Sequence, residues 1–192
     1  MRISHLGLSQ QFARLGSDQR GVSAVEFAML LPMMLTLYLG TVEISQGVGI
    51  DRKVTLTAHT VADLAAQVTS ISSSDMSSIL NASSQVIMPY DASKLKVTVS
   101  EVDIDANGNA TVGWSCTLGG SALHAKGAAV TLPPALAIKN SSLIWGEVSY
   151  SYQPPVGQEI LKWLGLPSGT LNLSDQIYLA PRLSQKVSLA SC

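Results

Sequence analysis

The run "VSAVEFAMLLPMMLTLYLGTV", Val22 to Val42, constrains this chain more than any other feature. From Phe27 to Val42 it holds 16 residues without a charge. As a helix, all 21 residues of the run would extend about 32 Å at 1.5 Å per residue. A bilayer's hydrocarbon core is about 30 Å thick. Thr36 and Tyr38 interrupt the run, but no polar face recurs at helical spacing, so a transmembrane helix fits better than an amphipathic core helix. Charged residues are 13% of the chain, about half the usual share of about 25%. Such a balance suits a membrane-associated or exported protein more than a cytosolic enzyme.

The small net charge hides an asymmetry. Residues 1–21 hold Arg2, Arg14 and Arg20 against Asp18, for +2, and the remainder carries −3. Basic residues ahead of a span keep that end in the cytoplasm. Arg52-Lys53 follows the span and pulls the other way, yet an inward N-terminus remains the reading. The expected organisation is a cytoplasmic leader (1–21), a transmembrane helix (22–44) and a periplasmic domain (45–192). Removal as an ordinary secretory signal fits less well, since "GTVEISQG" after Leu39 lacks a small-x-small site. Nothing resembles the basic patch that nucleic-acid binding needs.

Beyond the span, Val54, Val61, Leu64, Ala65 and Val68 form one stripe at helical spacing, predicting an amphipathic extension that needs a partner. A second helix is expected over 75–88, capped by Ser73 or Ser74 and ended by Pro89. After residue 90 the period becomes two. "KLKVTVSEVDI" sets Leu95, Val97 and Val99 against Lys96, Thr98 and Ser100, and "DANGN" is a hairpin signal. Strands are predicted at 94–105, 109–117 and "SLIWGEVSYSYQ", with a fourth in "LSDQIYLAPRLSQKVSL" broken near Pro181. Residues 118–140 read as a long loop, and "VGQEILKWLG" as a short helix closed by Gly165. Helices over 45–89 followed by β structure over 90–192 make an α+β domain with an antiparallel sheet.

Catalytic signals are sparse. His5 falls in the leader and His59 on the amphipathic helix, leaving His124 in the body, where it reads as an exposed loop residue. No G-x-S-x-G, H-E-x-x-H or phosphate loop is present. "DIDANGN" has the D-x-D-x-N spacing of a calcium loop without its twelfth-position glutamate, and turn chemistry accounts for Asp103, Asp105, Asn107 and Asn109 better. No metal site and no cofactor is indicated. Cys116 and Cys192 are neither a C-x-x-C pair nor a metal quartet. In an exported body they either form one disulfide pinning the C-terminus or remain separate thiols.

Glu26 is the anomaly of the apolar run. A charge at the bilayer centre is unfavourable by about 2.5–3.5 kcal/mol on insertion scales, though less near the interface. On one reading it marks the cytoplasmic interface. On the other it pairs. Cleavage after Gly21 would give Val22 a new α-amino group and place Glu26 at mature position 5. An amine on one subunit would then neutralise the carboxylate of its neighbour.

A basic leader, a glycine at the cut, a glutamate five residues on and a long apolar helix resemble the type IV prepilin signature. The match goes further. Arg20-Gly21, Ala24-Val25-Glu26-Phe27-Ala28, Leu31-Pro32, Gly40 and Glu43 resemble the short signature region of TadE/TadG-like proteins, accessory pilin-like components of Tad (Flp) pilus assembly. "TAHTVADLAAQ" (57–67) is similar to the small-residue helix that follows it. The resemblance covers about residues 20–68. It implies a pilin-like architecture and a non-catalytic, single-pass inner-membrane protein with a periplasmic body. It further implies processing at Gly21 by a prepilin peptidase, and other Tad components and pilin-like subunits as partners. Pro32 fits as a helix proline that permits a kink. The competing readings are a membrane-tethered periplasmic binding module and an anchored serine hydrolase.

Overall fold

A computed structural model describes residues 21–120, 123–163 and 169–192. The expected leader and the expected stop at Gly165 lie outside the described residues. The chain divides into two units after Ile44.

The first unit is the apolar portion of helix α1, which runs Val22–Ala66. Its side chains are exposed almost throughout, Met29 at 76%. It is the one helix among the described residues that is long and apolar enough to cross a membrane. Thr36 lodges its hydroxyl on the Pro32 carbonyl at 2.8 Å, and Thr41 does the same on Leu37 at 2.8 Å. Polar side chains within an apolar helix are thereby satisfied by their own backbone.

The second unit, residues 45–192, is α+β: helical segments followed by a small antiparallel sheet domain. Past residue 45, α1 becomes one-sided. Ile50, Val54, Ala58, Val61, Ala62, Ala65 and Ala66 are buried, at spacings of three and four. The expected stripe is present in Val54, Val61 and Ala65, with Leu64 and Val68 packed at its margin. Then come β1 (Ser70–Ile71) and helix α2 (Ser73–Val86). The cap of α2 is Ser72, one residue before the earliest expected position. Asp75 N–H donates to the Ser72 hydroxyl at 3.2 Å, and Ser72 N–H donates to the Asp75 carboxylate at 3.3 Å. The sequence offers three adjacent serines, Ser72 to Ser74, and this reciprocal pair with Asp75 selects the first.

Strands β2 (Leu95–Ile104), β3 (Ala110–Leu118), β4 (Ala129–Val130), β5 (Ser141–Tyr152) and β6 (Leu171–Leu179) form an antiparallel sheet ordered β4-β3-β2-β5-β6. Helix α3 (Pro155–Trp163) joins β5 to β6. Two expectations need correction. The stretch 118–140 is not loop throughout, because β4 pairs there with the start of β3. The last predicted strand is two: β6 is an edge of the main sheet, while β7 (Ser188–Leu189) pairs in parallel with β1. Pro181 separates them, since a proline lacks the donor a continuing ladder needs. Thr98 and Ser100, set opposite Leu95, Val97 and Val99, are buried as well.

The sheet is covered on both faces. On one, Val97, Val99, Cys116, Ile144 and Val148 pack with the α1 stripe. Gly146 permits this approach: a Cβ built there would stand 3.0 Å from the Ala58 carbonyl and 3.0 Å from the Ala62 Cβ. On the other, Val102, Ile104, Leu143 and Trp145 form a smaller core under Val130, Leu132 and Leu136 of the β3–β5 connection.

Candidate functional site

The residues singled out in the apolar run all lie on α1. Gly21 stands just before the helix begins and is exposed; a Cβ built on it meets nothing within 4 Å. Val22, the first helical residue, is 51% exposed. Glu26 lies four residues on, and residues at i and i+4 share a helix face one turn apart. Its side chain is exposed, as is that of Phe27. Pro32 lies inside the helix. It has no N–H to donate to the carbonyl one turn back.

The body holds the other titratable candidates, and most of them serve the fold. Asp105 accepts from the N–H groups of Asn107 (2.7 Å) and Asn109 (2.8 Å) and from the Asn109 amide at 2.9 Å, closing the hairpin turn. The Asn109 amide and backbone hold its carboxyl below the ordinary range. Asp103 is paired with Lys186. Among the described residues, no group of three or more His, Cys, Asp and Glu is placed to hold a metal ion.

His124 is not the free loop residue expected. Its Nε2 lies 2.5 Å from Glu147 Oε2, and its ring stacks on Trp145 at 4.4 Å, which in turn stacks on Tyr178 at 5.5 Å. The Ser115 hydroxyl accepts from the backbone N–H of His124 at 3.3 Å, and Ser100 donates to that same hydroxyl at 2.8 Å. A hydrolase base must reach its serine through the imidazole. Here the imidazole's partner is a carboxylate on β5, and the Ser115 hydroxyl holds the His124 backbone N–H rather than its ring.

Sequence reasoning missed Glu101. It is fully buried, its Oε1 accepts from Val187 N–H at 2.9 Å, and its Oε2 has no hydrogen-bond partner. Burial pushes its pKa up, and the Asp103 carboxylate adds to that, while Val187 N–H, Lys186 and the nearby Ser142 hydroxyl act the other way. A β-bulge makes the room. Glu101 pairs with Trp114 and Val102 with Val112, so Gly113 is the extra residue. A Cβ on Gly113 would fall 2.9 Å from Glu101 Oε2 and 3.0 Å from Asp103 Oδ2.

This carboxylate anchors a C-terminal strap. Trp114 Nε1 donates to the Val187 carbonyl at 2.8 Å, and the Ser142 hydroxyl to the Gln185 carbonyl at 2.8 Å. Arg182 pairs with Asp63 of α1. The strap ends at Cys192, which is joined to Cys116 on β3 in a disulfide with Cα atoms 5.7 Å apart. Cys116 is fully buried and Cys192 exposed.

Residues 21–67 match the family model described as TadE-like protein. The match begins at Gly21 and closes one residue past the end of α1, so it follows the long helix and leaves the sheet domain outside. No curated protein and no solved structure matches the chain.

Proposed function

We propose that this TadE-like protein is a non-catalytic, pseudopilin-like accessory component of Tad (Flp) pilus biogenesis. The observation that carries the reading is the family match over 21–67, which takes in Gly21 just before an exposed apolar helix, Glu26 five residues after it, and Pro32 within the helix. In this reading residues 22–44 anchor the chain once in the inner membrane, the leader stays cytoplasmic, and residues 45–192 form the periplasmic body. A prepilin peptidase cuts between Gly21 and Val22. The new amine and Glu26 lie one helical turn apart on the same face, and in this reading the amine of one subunit neutralises Glu26 of a neighbouring pilin-like subunit. Neutralising both reduces the unfavourable transfer of either charge into lipid. A disulfide that ties down the C-terminus suits the oxidising periplasm.

Mature protein recovered from native membranes is expected to start at Val22 on N-terminal sequencing. An intact leader would remove the amine and with it the pairing role. Glu26→Ala is expected to abolish pilus assembly while leaving the chain in the membrane. Normal pili from that variant would refute the pairing; loss from the membrane fraction would reassign Glu26 to insertion.

A further inference from the structure

We infer that β6 is a docking edge, which takes an extended strand of a different protein carrying a lysine or arginine opposite Asp175. The two edges of the main sheet are finished differently. β4, at one end, is two residues long. An edge that short offers little backbone to pair with. β6, at the other end, runs nine residues and pairs with β5 from Leu171↔Tyr152 to Leu179↔Ile144 without a register shift. At about 3.4 Å per residue, such an edge is about 30 Å long. Among the described residues, no strand pairs with its other side. The backbone N–H and C=O groups of an open edge are a template for a further strand. The usual guards are missing, since "LNLSDQIYL" holds no proline and no lysine, and no bulge twists it away.

The side chains are unfinished in the same place. On β5, the core-side residues paired with β6 (Ile144, Val148, Tyr150 and Tyr152) are all buried. No residue of β6 is buried. Leu173, Ile177 and Leu179 pack on the main core yet stay partly exposed, and Leu171 is 54% exposed. One more strand, apolar at alternate positions, covers this row while its backbone satisfies the edge.

Asp175 decides which strand that is. Side chains alternate along a strand, so Asp175 shares the core side with Leu173 and Ile177. Its carboxylate accepts from Gln176 N–H at 2.8 Å, and none of the ion pairs among the described residues includes it. A carboxylate in that row opposes any strand that sets an acidic or apolar side chain against it. A second copy is such a strand. Paired antiparallel over its full length, β6 would set Asp175 opposite Asp175. In the shifted registers that keep both core sides together, Asp175 would meet Leu171, Leu173, Ile177 or Leu179. A strand with a lysine or arginine at this position instead adds a cross-strand ion pair. Charge complementarity thus selects a foreign strand over a second copy, with Asp175 as the repulsive element that excludes the latter.

The test titrates the full chain, in detergent micelles, into fluorescein-labelled peptides of the same length as β6. They alternate valine with threonine and carry either lysine or glutamate at the centre. Fluorescence anisotropy should show the lysine peptide binding about fivefold tighter or more. Asp175→Asn keeps an acceptor for Gln176 N–H and should remove that preference, while Asp175→Lys should reverse it. A lysine peptide N-methylated throughout its backbone should not bind, because it cannot donate to the edge. Equal affinity of wild type for the two charged peptides would overturn the inference, and so would no binding of either. Binding that survives N-methylation would also overturn it, by showing partition into the micelle or contact with another surface. Dimers in sedimentation that the lysine peptide dissociates would make a second copy the occupant, and the inference would fail.

Discussion

Glu101 makes the body sensitive to pH in an unusual direction. Its carboxyl is buried, and its pKa is raised above the ordinary 4.5, by burial first. Below about that value the group is protonated in both folded and unfolded chains, and its contribution to stability is fully present. As pH rises, the unfolded chain ionises first. The body then loses up to about 1.36 kcal/mol per pH unit until the raised folded value is passed, after which the loss levels off. Asp75, Asp91 and Asp105 act oppositely. Hydrogen bonds from Ser72, Ser93 and Asn109 lower their values, so their contributions are present at neutral pH and fade in acid. The Glu101 slope must therefore be isolated by difference. Glu101→Gln keeps the acceptor for Val187 N–H and removes the charge, including its repulsion with Asp103. The assay is urea unfolding of the full chain in detergent, followed by tryptophan fluorescence, because Trp114 reports on the strap through its bond to the Val187 carbonyl. Stability of Glu101→Gln relative to wild type should increase from pH 4.5 to pH 8. Glu101→Leu should fall below Glu101→Gln by about 1–3 kcal/mol at every pH, because it leaves a buried N–H without an acceptor. A pH-independent difference between wild type and Glu101→Gln would show that the carboxylate is solvated, and the reasoning would fail.

Two further substitutions test the packing. The disulfide closes a loop with a sequence separation of 76, which the chain-entropy relation values at about 4.5 kcal/mol. Cys192→Ser should therefore lower the urea midpoint markedly, and reductant should bring wild type to the variant's midpoint while leaving the variant unmoved; coincident curves for oxidised and reduced wild type would refute the link. Gly146→Ala forces a methyl against the Ala58 carbonyl and should cost about 1–3 kcal/mol, an effect that unchanged stability in the same assay would rule out.

How legible each element was depended on whether its determinants were local. The apolar run, the one-sided helix after it and the Asn-Gly hairpin are set by neighbouring residues, and the chain builds them where the pattern places them. The strap could not be read that way. Its β7 pairs with β1, more than a hundred residues earlier in the chain, and each strand is two residues long, too short to show a period. His124 looked free because its partners Trp145 and Glu147 come from β5. Glu101 was legible in principle. Leu95, Val97 and Val99 face inward, and the same alternation carries residue 101 to the same side. A carboxylate at that register nevertheless has the sequence signature of the end of a buried face. The bulge at Gly113, which makes the burial possible, has no local signature beyond an isolated strand glycine.

One helix is built for two surroundings, and the change comes at the boundary between the units. Before it, large apolar side chains point in every direction, the pattern a helix surrounded by lipid would need. After it, the buried positions narrow to a stripe that turns small at Ala58, Ala62, Ala65 and Ala66, with Gly146 of the sheet close against Ala58 and Ala62. Averaged over its length, such a helix shows little amphipathicity, although each portion is specified for its own side. The family match spans both portions and stops with the helix. The sheet it leaves out needs to supply one thing to α1: an inner face shaped for a row of alanines, which Gly146 and its valine neighbours provide. Many sheet sequences can meet that demand.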